Sequence, residues 1–211
     1  METIRNRAVE QFPTVLITLL SIVQALALEF LWDHLHHRPD LIELSLVALI
    51  GWIQVAASLT GIILIWLAYA SMVMRFRWTP STTDSVLPFL VGLIEFLMID
   101  MMGPNKTGRW LLVLGAIFAI MIIGSHHVFR RARLDPANRE FFDRFAPASA
   151  RDFLVHSLAI GFIVLSGIWL WIDDGNSWVT LTIMILALAL LVVEVRNTVK
   201  FWNQSMGIEQ A

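Results

Sequence analysis

Six stretches of this chain, each close to the length of a membrane span and dominated by Leu, Ile, Val, Ala, Phe and Trp, leave little choice of fold. A helix needs about 20 mostly apolar residues to cross the hydrocarbon core of a bilayer. The segments run roughly from Phe12 to His34, within Leu41 to Met74 with a core from Trp52, from Ser85 to Met102, from Trp110 to Phe129, from Phe153 to Ile172 and from Trp178 to Val195. Lipid offers no partner to backbone N–H and C=O groups, so each segment is expected to be a helix. Composition agrees. Only 15% of the 211 residues are charged and mean hydropathy is +0.71, whereas a soluble domain carries about 25% charged residues. Many of the nine Trp lie near segment ends, where amphipathic rings favour the membrane interface.

The expected fold is therefore all-α: a polytopic membrane protein, one six-span domain over residues 1–211. Boundary signals support the division. Pro39 and Asp40 part the first two segments, and Ser81, Thr82, Thr83 and Asp84 form an N-cap cluster before the third. Gly103, Pro104 and Asn105 make a helix stop and turn. Asp173, Asp174, Gly175 and Asn176 predict a tight turn and an antiparallel hairpin of the last two spans. The second segment would be about 51 Å long as one helix at 1.5 Å per residue. It is expected either to project from the bilayer or to break near Gly51, with 41–50 at the interface. The N-terminal METIRNRAVEQ carries both signs of charge, and the run after it lacks a small-residue cleavage site, so the first segment reads as a retained span. Ala57-x-x-x-Gly61, Gly115-x-x-x-Ala119, Gly161 and Gly167 are the expected sites of close helix packing.

Lys and Arg set the orientation. With the N-terminus inside, twelve of the fifteen fall in inner segments and three in outer ones. This positive-inside bias places both termini in the cytoplasm, in a bilayer of the bacterial inner (plasma) membrane type. The only sizeable soluble piece is then residues 130–151, a cytoplasmic amphipathic loop. It combines Arg130, Arg131 and Arg133 with Phe141, Phe142 and Phe145, a pattern suited either to anchoring at the inner leaflet or to docking a cytosolic protein.

Polar residues inside the spans are the candidates for function, because an ionisable group there is costly and needs a reason. The outer half holds Glu29 and Asp33, followed by His34, His36 and His37, with Glu95 and Asp100 on the third span. Gln24 and Gln54 lie near the centre, placed to bond across the first two spans, with Ser58 one turn from Gln54. The inner half holds His126, His127, His156, Glu194 and Arg196. Glu29 and Asp33 share a helix face with His36 or His37 if the helix continues that far. His126, His127 and His156 could meet near the inner face, where two histidines on neighbouring helices can ligate haem or a metal.

Several chemistries are excluded or unsupported. There is no cysteine, hence no disulfide, thiolate metal site or thiol nucleophile. HLHH and HH resemble the histidine boxes of membrane di-iron desaturases, but the expected orientation puts them on opposite faces. No H-E-x-x-H, G-x-S-x-G or phosphate-binding glycine loop occurs. The net charge of −2 gives no basic excess for nucleic acid. The expectation is a non-enzymatic channel or small transporter for cations or protons, without a cofactor, embedded in the lipid bilayer and forming a homo-oligomer. Its ion pathway would use Glu29, Glu95, Gln24, Gln54, Asp33 and Asp100, since carboxylates in a vestibule concentrate cations. The alternative is a membrane sensor or scaffold subunit that binds a cytosolic partner through the 130–151 loop.

Overall fold

The structure, a computed structural model, describes residues 2–79, 81–144, 150–173 and 176–205. Every regular element among them is helical: α1 (Glu2–His36), α2 (Leu46–Arg75), α3 (Thr82–Asp100), α4 (Thr107–Ala132), the short α5 (Arg139–Arg144), α6 (Ala150–Ile172) and α7 (Ser177–Ser205). Five of these, α1, α2, α3, α4 and α7, are long and apolar enough to cross a membrane, and α6 contributes a shorter apolar stretch, His156–Ile172. Large apolar side chains cover their outward faces, among them Val15, Ile22 and Trp32 on α1 and Leu158, Leu165 and Trp169 on α6. Helices apolar on both faces belong in lipid or in the core of a large protein, and this is a helical protein suited to a membrane.

Local chemistry explains the boundaries. Pro39–Ile42 form a 3-10 turn, and Ser45, with extended backbone, caps α2 by accepting a hydrogen bond from Ala48 N–H at 3.2 Å. The second apolar segment therefore breaks at Glu43–Ser45 and not near Gly51, which lies buried inside α2. A proline followed by a serine cap stops and restarts the helix where one glycine does not. At α3, Asp84 Oδ2 accepts from Ser81 N–H at 2.8 Å. The same oxygen meets Trp78 Nε1 at 3.4 Å and Arg131 Nη1 at 3.0 Å, so the cap also ties down the end of α4. The α3–α4 turn uses left-handed backbone at Gly103 (φ 136°) and Asn105 (φ 60°), the two residue types that tolerate it best.

Successive long helices run in alternating directions around α2. Helix α1 packs on α2 and α3, α4 on α3 and α6, and α7 on α2. One end of the bundle carries the turns around Pro39, Gly103 and Asn176 (the turn end). The other carries Arg75, Ala132 and α5 (the loop end). The main core joins Leu20, Ile62, Ile65, Met98, Trp110, Leu111, Met184 and Leu191, and a second cluster at the loop end joins Leu16, Val73, Phe76, Trp78, Val128 and Ala132.

The tightest seam lies between α4 and α6. A Cβ on Gly108 would sit 2.5 Å from Trp171 N and 2.8 Å from Gly167 O, and one on Gly115 would sit 2.6 Å from Val164 Cγ2. Gly115 and Gly167 thus act as expected. Gly161, expected at a contact, has nothing within 4 Å of its Cβ position, and Gly61 meets only Leu114 Cδ1 at 4.0 Å. The hairpin expected of the last two spans is also looser than the sequence suggests. Its members follow one another in the chain, but α6 is drawn onto α4 by the glycine seam. Helix α7 instead buries Leu181, Met184, Ala187 and Leu191 and packs on α2.

Candidate functional site

The most unusual group in the spans is Glu95. It lies on α3 about 20 Å along the helix from Thr82 and about 8 Å short of Asp100, at 1.5 Å per residue. Its exposure is 0%. Both carboxylate oxygens accept from one donor, the amide Nε2 of Gln24 on α1, at 3.0 Å each. Gln24 is itself buried, and its Oε1 has no partner. Among the described residues, no Lys, Arg or His forms an ion pair with Glu95. The sequence places the pair for a simple reason. Gly92, one turn before Glu95, lets α3 approach Val23 of α1, beside Gln24: a Cβ at Gly92 would lie 2.5 Å from Val23 Cγ1.

This arrangement suits a proton site. An ionised carboxylate takes both hydrogen bonds from the Gln24 amide. A protonated one can donate its O–H to the Gln24 carbonyl oxygen after the amide turns over. That oxygen is the one left without a partner, so the carboxyl group finds a partner in Gln24 in either protonation state.

Gln54 and Ser58 serve a different purpose. Gln54 Oε1 accepts from Gly103 N–H at 3.1 Å and Nε2 donates to Thr107 Oγ1 at 3.3 Å. Ser58 Oγ accepts from Trp110 Nε1 at 3.2 Å and approaches Met102 Sδ at 3.6 Å. These bonds clamp the α3–α4 turn and the head of α4 onto α2. Gln24 and Gln54 do not bond each other as expected, because each finds a nearer partner on α3 or α4. The clamp could not be read from spacing, since one of its donors is the backbone N–H of a turn.

The remaining residues expected on the ion pathway stand elsewhere. Glu29, Asp33 and Asp100 are exposed on the flank of the single-chain bundle. Asp33 lies 3.9 Å from His37 Nδ1, one helical turn on. His36 and His37 bond back to the carbonyls of Trp32 and Asp33 at 3.0 and 2.9 Å, as residues finishing a helix do. Beside them Arg38 grips Asp40 with two 2.7 Å bonds, Nε to Oδ1 and Nη2 to Oδ2. The Arg38 guanidinium holds the Asp40 carboxyl below the usual carboxylate range. A carboxyl whose folded pKa is depressed stabilises the fold above its unfolded pKa, and loses that contribution as pH falls through the folded value. Stability should therefore drop as pH falls below the ordinary Asp value of about 4. In Asp40→Asn, Tm followed over the same acid range should show a shallower drop.

At the loop end, His126 and His127 are exposed, while half-buried His156 places Nε2 3.1 Å from Glu194 Oε2 on α7. Among the described residues there is no group of three or more His, Asp or Glu that could hold a metal ion. The described part of the 130–151 loop, residues 130–144, is folded against the bundle. Asn138 accepts from Arg77 N–H at 2.9 Å and donates to the carbonyls of Arg77 and Ala132 at 2.6 and 2.7 Å. Phe141 and Phe142 both pack on Phe76, at ring separations of 4.8 and 5.5 Å, and Arg133 lies over Phe142 at 5.2 Å. Arg131 is paired with Asp84, Arg130 is exposed, and Phe145 falls outside the described residues. The two described phenylalanines thus serve the fold before any partner.

No family model, no curated protein and no solved structure matches this chain.

Proposed function

We propose that this protein is a small integral membrane transport protein for protons or cations, with the Gln24–Glu95 pair as the place where a proton is held inside the bundle. The observation that carries the reading is a carboxylate buried within apolar helices and, among the described residues, met only by a neutral amide. Ionisable groups in spans are expensive by about 2.5–3.5 kcal/mol on insertion scales, and they mark proton and ion routes. In this reading α6, at 23 residues, is the sixth span. The loop end faces the cytoplasm of a bacterial inner-membrane-type bilayer, and both termini lie inside. Glu29, Asp33 and Asp100 then ring the outer rim. Glu29 stands among exposed Ile22, Leu26 and Trp32, a lipid-facing setting that a second copy of the chain would relieve. Docking of a cytosolic partner at 130–151 is the weaker alternative, because Phe141 and Phe142 are already engaged by Phe76.

The test is flux in liposomes under an imposed proton or potassium gradient. Glu95→Gln keeps an amide able to bond Gln24 but cannot hold the proton, so flux should fall about tenfold or more, which corresponds to about 1.4 kcal/mol in barrier. Folding should be retained. Unchanged flux of both ions in Glu95→Gln and in Glu29→Gln would remove the proposal.

A further inference from the structure

A space lined by four helices lies away from Glu95, in the loop-end half. It is a cavity of about 480 Å³ between α2, α4, α6 and α7, opened where α6 and α7 lean apart. Its walls are apolar: Leu64 and Ile65 from α2, Phe118 and Met121 from α4, Ile160 from α6, Leu191 from α7. Its polar groups gather toward the loop end, where Arg75 closes the space. Arg75 is half-buried. Its Nη2 reaches Ser71 Oγ at only 3.4 Å, its guanidinium carbon lies 4.4 Å from the centre of the Phe201 ring, and its Nε is buried without a partner. Among the described residues no carboxylate pairs with Arg75. Glu194, the one acid among the described residues lining the space, is engaged by His156, and that contact joins α7 to α6 across the opening.

We propose that this cavity binds an anionic amphiphile, with its carboxylate or phosphate head at Arg75 and its hydrocarbon chain between α6 and α7. The volume falls within the roughly 300–1,000 Å³ of small-molecule sites, which are mostly apolar with a few placed polar groups. A guanidinium offers a forked set of donors that fits a carboxylate or phosphate, and it cannot discharge itself by losing a proton. An aromatic ring on one side and an unused N–H on its edge leave Arg75 oriented but incompletely satisfied. The site is independent of the proton pair, which lies between α1 and α3.

The experiment uses the whole protein in phosphatidylcholine nanodiscs, with binding of radiolabelled oleate competed by 1-oleoyl lysophosphatidate and by oleyl alcohol. Saturable oleate binding is expected, competed by the lysophosphatidate and about tenfold or more weakly by the alcohol, since hydrogen bonds to charged groups are the strong ones. Arg75→Gln should weaken oleate by a similar factor, and Arg75→Lys should restore part of it. Ala159→Trp, which fills the cavity from α6, should abolish binding, and Arg139→Gln on the exposed α5 should leave it unchanged. The tighter of oleate and lysophosphatidate identifies the source of the head, a free fatty acid or a membrane lipid. Competition by oleyl alcohol equal to that of unlabelled oleate would overturn the anionic head, even if Arg75→Gln failed to fold. Full binding in folded Ala159→Trp would overturn the cavity itself.

Discussion

Gly108→Leu is expected to yield little folded protein, and Gly108→Ala should already lower the unfolding midpoint in detergent. The obstacles to a new Cβ are the backbone of the facing helix, Trp171 N at 2.5 Å and Gly167 O at 2.8 Å, which cannot rotate out of the way as a side chain would. Helix α6 must move off α4 as a body. Overpacking of a core typically costs about 1–3 kcal/mol. A main-chain collision at the tightest seam of the bundle belongs at the upper end for alanine and beyond it for leucine. Gly161→Ala on the same helix is the control. Nothing lies within 4 Å of that Cβ, and alanine is the better helix former by about 1 kcal/mol, so stability should hold or rise. Equal stability of Gly108→Leu and the parent would show that α4 and α6 do not meet along this seam.

Gln24→Leu should be the most damaging change among the polar residues. It removes both hydrogen bonds that Glu95 accepts and leaves the carboxyl group enclosed by hydrocarbon. A buried group stripped of its partner costs about 1–3 kcal/mol, and more when it carries charge. Adding Glu95→Leu should recover much of the loss, because a pair replaced together leaves nothing unsatisfied. The double variant would then be more stable than Gln24→Leu alone, a departure from additivity of the kind that contacting residues show. Unfolding midpoints of the four proteins measure it. Additive losses would separate the two side chains and, with them, the proposed proton site.

The helices were legible because the apolar runs are long and their stops are chemically explicit: Ser81 with Asp84, Gly103 with Asn105, Asn176 after Asp173. Burial of Gln24, Gln54 and Glu95 could be anticipated from their place within the runs. Their partners could not. Which face of α1 meets α3 depends on the rotation of both helices, and a sequence in which nearly every face is apolar carries little rotational signal. Glu29 shows the same gap. It sits as deep in its apolar run as Glu95 does, yet its side chain is exposed on the flank and Glu95 is enclosed. The Arg/Phe loop shows another limit. Its sequence does not reveal that Phe141 and Phe142 pack on Phe76, just past the end of α2. The sequence does not mark Gly108, because its partner Gly167 lies far along the chain and not four residues away.

The uneven leaning of the last two helices has a mechanical consequence. At the turn end, α2 and α4 are pinned by Gln54, Ser58 and Trp110, and α4 is locked to α6 through Gly108. Toward the loop end, Asn138 holds Arg77 to Ala132 and Phe76 packs on Phe129, so α2 and α4 are joined there as well. The slot lies on the other side, between α6 and α7, where His156 and Glu194 bridge it. A frame riveted along one side and slotted along the other yields at the slot, and the His156–Glu194 contact is the latch that any parting of α6 from α7 has to open.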